Sequence, residues 1–74
     1  MAQTVITNRA LYKMKQYRLV ESQVLDAFNS GTVEQARFGK MSVKKYHNYE
    51  IGVLWIQDER GIYKIISCWK RDRR

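Results

Sequence analysis

Tyr49-Glu50-Ile51-Gly52-Val53-Leu54-Trp55-Ile56, then Asp58-Glu59-Arg60-Gly61, then Ile62-Tyr63-Lys64-Ile65-Ile66-Ser67-Cys68-Trp69: this stretch decides the fold. Two runs rich in β-branched and aromatic residues flank a turn of polar residues ending in glycine, the pattern of an antiparallel hairpin. Both runs carry apolar residues on both faces, so one of them should be central in the sheet and covered by other elements. Upstream, Met41-Ser42-Val43-Lys44-Lys45-Tyr46 reads as another strand. His47-Asn48 joins it to the first run, with asparagine supplying a positive φ for a tight turn. Phe38-Gly39-Lys40 can turn or bulge the chain. The expectation is a three- to four-stranded antiparallel meander, with Val5-Ile6 as a short additional strand.

The first half has the other period. From Arg9 to Arg18 the apolar residues fall at Ala10, Leu11, Met14 and Tyr17, one face of a helix. Asn8 is the expected N-cap. A second stripe runs Val20, Val24, Leu25, Phe28 and ends at Asn29-Ser30-Gly31, where glycine can close the helix in the left-handed conformation. Only a residue or two near Arg18-Leu19 joins the helices, which predicts a helix hairpin. The expected core is Leu11, Met14, Val24, Leu25, Phe28, Val53, Trp55 and Ile65. The fold class is therefore α+β: an N-terminal helix hairpin packed on the sheet.

Composition bounds the function. With 74 residues the chain makes one domain, residues 1–74, ending in a basic tail at 70–74. A domain this small buries only roughly 60% of the surface its unfolded chain exposes, which excludes a large enzyme built around an internal cofactor. Hydrophobic residues at 45% and charged residues at 28% describe a globular chain rather than a disordered one. Against 7 acidic residues stand 14 Lys and Arg, a formal charge of +7 that calls for a polyanionic partner. The longest apolar run, Val53-Leu54-Trp55-Ile56, is far short of the ~20 residues that span a bilayer. The opening Met1-Ala2-Gln3-Thr4-Val5-Ile6 does not read as a signal peptide. A single cysteine, Cys68, can form no intrachain disulfide and suggests a reducing cytoplasm. Cys68 and the one histidine, His47, are too few for a structural zinc site, and no motif calls for a cofactor.

The informative residues are cations beside aromatic rings, because bases stack on rings while Lys and Arg neutralise phosphates. Lys44, Lys45, Tyr46, His47 and Tyr49 surround one hairpin, and Lys64, Trp69, Lys70 and Arg71 lie on or after the last strand. Arg9 and Lys13 share a helix face, and Arg37 adds a cation before the first glycine turn. The plainer reading makes these lysines solvated strand residues, the tryptophans core, and His47 a turn residue. His47 is also the natural general base, since its ordinary pKa lies near working pH. Tyr46, Tyr49 or Tyr63 could replace it if a neighbouring cation lowered the phenol. Cys68, among apolar neighbours, reads as an inert buried thiol.

Thr7-Asn8-Arg9-Ala10-Leu11-Tyr12-Lys13-Met14, followed by Leu19-Val20-Glu21-Ser22-Gln23-Val24-Leu25-Asp26-Ala27-Phe28, resembles a bacterial small-domain family of unknown function. Its members open with a T-K-H-A-x-x-R/K-M helix start. Tyr63-Lys64-Ile65-Ile66-Ser67-Cys68-Trp69-Lys70 is similar to that family's last strand and to the R-I-I-S-A-R ending of BrnT-type toxins in the RelE/ParE-like group. The resemblance covers most of residues 5–71. It implies a helix hairpin on a curved antiparallel sheet and toxin–antitoxin function, with RNA cleaved without metal by basic and aromatic residues of the sheet. By position, the family's last-strand basic residue falls on Lys64 and the next cation is Lys70. If the chain cleaves RNA, side-chain chemistry makes His47 the default base with Tyr46 as a substitute, and Lys64, Lys70 and Arg71 the groups that stabilise the phosphorane charge. Trp69 stands where BrnT-type toxins have arginine, and Arg9 where the family has histidine; arginine binds phosphate but exchanges no proton at neutral pH. The expected function is RNA binding; Arg9 at the histidine position leaves open whether the domain also cuts RNA as a metal-independent endoribonuclease. The competing expectation is a non-enzymatic interaction protein, a regulator or a mobile-element or phage accessory protein, that grips an acidic partner such as an antitoxin.

Overall fold

The computed structural model describes residues 3–72. The order of elements is β1 (Thr4–Ile6), α1 (Asn8–Tyr17), α2 (Glu21–Ser30), β2 (Thr32–Gln35), β3 (Lys40–Lys45), β4 (Tyr49–Gln57) and β5 (Tyr63–Asp72). The fold is α+β, with a sheet of five strands in the order β1-β5-β4-β3-β2. β2 to β5 run antiparallel, whereas β1 lies parallel to β5. The sheet is therefore mixed and wider than the three- to four-stranded antiparallel meander the sequence suggested. The parallel edge arises because the chain leaves β1 into a helix rather than a turn, which carries it across the sheet before it returns.

β4 and β5 form the long hairpin and sit inside the sheet, as their two-sided apolar character requires. At the turn, Asp58 Oδ1 accepts hydrogen bonds from the amides of Arg60 (2.9 Å) and Ile62 (3.0 Å), and Gly61 takes a φ of 84°. The register shifts between Leu54 and Trp55: Leu54 pairs with Ser67 but Trp55 with Ile65, so Ile66 is an extra residue. The bulge resets the alternation of β5. Ile65 and Cys68, three apart, thereby both join Ile51 and Val53 in the core.

The helices contribute Ala10, Met14, Leu19, Val24 and Ala27 to that core. α1 packs against β5, and α2 against β3 and β4. Of the expected core, Met14, Val24, Val53 and Ile65 are buried, and Leu25, Phe28 and Trp55 pack half-buried around them. Leu11 is not in the core: it is 48% exposed, because Ala10, Met14 and Tyr17 already define the inward stripe. The opposite face of the sheet carries half-buried Met41, Val43, Leu54 and Trp69 and is covered by no helix among the described residues.

Capping also differs from expectation. Thr7, not Asn8, is the N-cap of α1: its Oγ1 accepts from the Ala10 amide and donates to the Ile65 carbonyl at 2.8 Å, tying the helix start to β5. Arg18 closes α1 in the left-handed region (φ 58°), and the Leu19 amide donates back to the Met14 carbonyl at 2.7 Å. Gln23 Oε1 accepts from the Val20 amide at 2.9 Å, the half of a capping box that does not need an oxygen on the cap residue, which valine lacks. Gly31 closes α2 in an extended conformation (φ −76°) rather than a left-handed one, since the chain passes directly into β2. The β3–β4 hairpin closes through the Tyr46 amide and Tyr49 carbonyl, without the positive φ expected at Asn48. Lys70 to Asp72 belong to β5 rather than to a tail, while Arg73 and Arg74 lie outside the described residues. No helix is long and apolar enough to cross a membrane among the described residues.

Candidate nucleic-acid interface

α1 carries a run of positive charge. Arg9, Lys13 and Lys15 lie within it and Arg18 caps it, with no acidic residue from Asn8 to Arg18. Ion pairs among the described residues join Lys44 to Asp26, Lys64 to Asp58 and Arg71 to Glu50, so none of the α1 cations is neutralised this way. Lys13 lies close enough to Cys68 to favour its thiolate, but burial dominates and pushes the thiol up to about 11. Cys68, 1% exposed, is thus an inert core residue.

A second cluster gathers around Asp26 on α2. Its carboxylate accepts from Lys44 Nζ (2.6 Å) and the Tyr46 hydroxyl (2.7 Å). These two donors hold the Asp26 carboxyl below its ordinary 3.8. Tyr46 moves the other way, to about 12, first by burial and then because its proton is held by Asp26. The expectation that a cation would lower this phenol fails, although Lys44 Nζ lies 5.2 Å from its ring centroid. Tyr46 is a poor base at neutral pH. Its ring stacks on Tyr49 at 4.7 Å, and Lys70 Nζ sits 4.7 Å from the Tyr49 centroid.

The third cluster lies on the face of the sheet away from the helices. Glu50, 5% exposed, accepts from Arg71 Nε at 2.7 Å and also from Nη2. The Trp69 ring covers Gly52, and the Arg71 guanidinium lies 5.5 Å from the Trp69 centroid. Lys45 pairs across the strands with Glu50. Glu34, Met41, Val43 and these residues line a shallow groove of about 450 Å³. Two carboxylates there offset the two cations, so this face is no phosphate track.

The candidate catalytic residues are not brought together. Tyr46 and His47 are at the β3–β4 hairpin, next to the Tyr49–Asp72 end of the sheet; Lys64 pairs with Ile56 near the other end. At ~3.3 Å per residue along β4, about 23 Å separates the levels of Tyr49 and Ile56. Lys64 instead faces Asp58 at 3.7 Å, and His47 is exposed at the tip. Of the candidate binding residues, Arg9 and Lys13 share α1. Lys44, Tyr49 and Lys70 surround the Asp26 cluster, and Lys45, Trp69 and Arg71 share the other face. Arg37 is remote, at the β2–β3 turn, with its guanidinium 5.7 Å from the Phe38 centroid.

The rings named from sequence are largely engaged within the protein. The two most exposed aromatic rings are Tyr12, 68% exposed on α1, and Phe38, 73% exposed beside Arg37. Neither was among the candidates. The signal was available for Tyr12, which lies outside the Ala10, Met14, Tyr17 stripe.

No family model, curated protein or solved structure matches the chain.

Proposed function

We propose that the chain is a small RelE/BrnT-like domain that binds RNA, chiefly through phosphates held along α1. The observation that carries this reading is the set Arg9, Lys13, Lys15 and Arg18, which faces no acidic residue of its own helix and makes no ion pair among the described residues. Such a set gains most from a polyanion, because each phosphate it neutralises releases a counterion. Exposed Tyr12 supplies a stacking ring within the same helix. The reading is one of binding rather than cleavage. A phosphodiester cannot touch a base at His47 and a cation at Lys64 at once when they lie at different ends of β4.

The test is fluorescence anisotropy of a labelled single-stranded RNA across a salt series. Replacing Arg9, Lys13 and Lys15 together by Gln should weaken binding and reduce the slope of log K against log salt by about 2, at ~0.7 per phosphate. An unchanged slope refutes α1 as the phosphate site.

One observation favours the acidic-protein reading. Leu11, 48% exposed, falls on the same side of α1 as Lys15 and Arg18, and RNA has little use for an exposed leucine. If that reading holds, Leu11→Ala should abolish capture of an acidic partner, and RNA should show no salt-dependent binding.

A further inference from the structure

The β2–β3 turn and the adjoining ends of β3 and β4 form a second concavity, of about 340 Å³, lined by Gln35, Gly39, Lys40, Trp55, Ile56 and Gln57. Its volume is at the small end of the range for ligand sites. Gln35, Lys40 and Trp55 are successive partners in one cross-strand row, and Gln57 follows Trp55 by two residues, so all four side chains share a face. Trp55 is fixed before any ligand arrives. Its indole N–H donates to Ser42 Oγ at 2.8 Å, and Phe28 and Tyr63 pack edgewise on it at 5.3 and 5.5 Å. Lys40 Nζ lies 5.9 Å from its ring centroid.

The polar groups around this ring remain available. Gln35 makes no side-chain hydrogen bond among the described residues, and Gln57 donates only one long bond, 3.4 Å to the Gly61 carbonyl. A carboxamide offers a donor and an acceptor together, the combination that reads a base edge. An ammonium beside an indole supplies the two other requirements of a nucleotide: neutralised phosphate and an aromatic contact. Gly39 lets the turn approach closely. Its φ is 97°, and a Cβ there would fall 2.5 Å from the Trp55 carbonyl oxygen.

We infer that this pocket holds one unpaired nucleotide of the bound RNA. Trp55 contacts the base, Gln35 and Gln57 read its edge, and Lys40 holds its phosphate. The inference rests on the RNA reading above, and adds a base-selective site to the phosphate track on α1.

The test is ¹H–¹⁵N NMR of the labelled protein, titrated separately with each 5′-mononucleotide, with inorganic phosphate and with a single-stranded RNA decamer. The expected result is saturable movement of the Trp55 indole and the Gln35 and Gln57 side-chain signals by the decamer and by at least one mononucleotide, but not by phosphate alone. Gln35→Ala with Gln57→Ala, both exposed positions, should weaken mononucleotide binding about tenfold and leave the salt slope of the decamer unchanged. If the decamer binds with a steep salt slope while these signals stay still, the pocket assignment fails and the RNA reading survives. Equal movement by inorganic phosphate overturns base recognition. If neither decamer nor mononucleotide binds, both fail.

Discussion

Gly52 lies in a central strand, where glycine ordinarily weakens the structure, because the Trp69 ring occupies the space a Cβ would need. Gly52→Ala must displace that ring and, with it, the Arg71 stacked near it. Overpacking of this kind costs about 1–3 kcal/mol. A thermal melt should fall by at least ~4 °C, at the ~4–8 °C per kcal/mol of a domain this size; an unchanged melting temperature would mean that Trp69 does not cover Gly52. Asp26 gives a pH-dependent counterpart. Its folded carboxyl titrates below the ordinary 3.8, so the stability it adds is fully present above that value and disappears as pH falls through the lowered folded pKa. Asp26→Asn should therefore be less stable than the parent at neutral pH, and the gap should close in chemical-denaturation curves taken below pH 3.8. A gap that persists in acid would show that Lys44 and Tyr46 do not depend on the charge of Asp26.

At the scale of elements, the end of α1 stores a small strain. Arg18 adopts a left-handed conformation that disfavours any side chain, and glycine is the residue suited to that position. Arg18→Gly should stabilise the domain by about 0.5–1 kcal/mol, read as a higher urea midpoint at constant slope; a lower midpoint would mean that the Arg18 side chain contributes more than its backbone costs. The two helices and the β3–β4–β5 meander were legible in the sequence, because apolar periods of 3.6 and 2 mark them directly. β2 was harder to read. Thr32-Val33-Glu34-Gln35 is exposed throughout and has no apolar face to announce it. The bulge at Ile66 was also invisible, since Ile65-Ile66 looks like an uninterrupted alternating strand until Leu54 and Trp55 take partners. Thr7 and Asn8 are both good caps, and only the Ile65 carbonyl, 58 positions away, selects Thr7.

At the scale of the whole molecule, the kinds of residue at the candidate site were legible but not their company. Lys70 beside Tyr49 and Arg71 beside Trp69 were readable as basic and aromatic neighbours in composition. Their separation onto opposite faces of one strand follows from alternation once the bulge is known. The neutralisation of Arg71 by Glu50, 21 residues away, and the distance of His47 from Lys64 are tertiary facts. What remains is a molecule with a formal charge of +7 that carries Arg9, Lys13, Lys15 and Arg18 on α1 with no ion pair among the described residues. The most direct measurement of that claim is a map of backbone amide shifts on adding single-stranded RNA at low salt. The account predicts the largest shifts from Arg9 to Arg18, reversed by raising the salt. Shifts confined to Met41, Val43 and Trp69, on the face away from the helices, would contradict it.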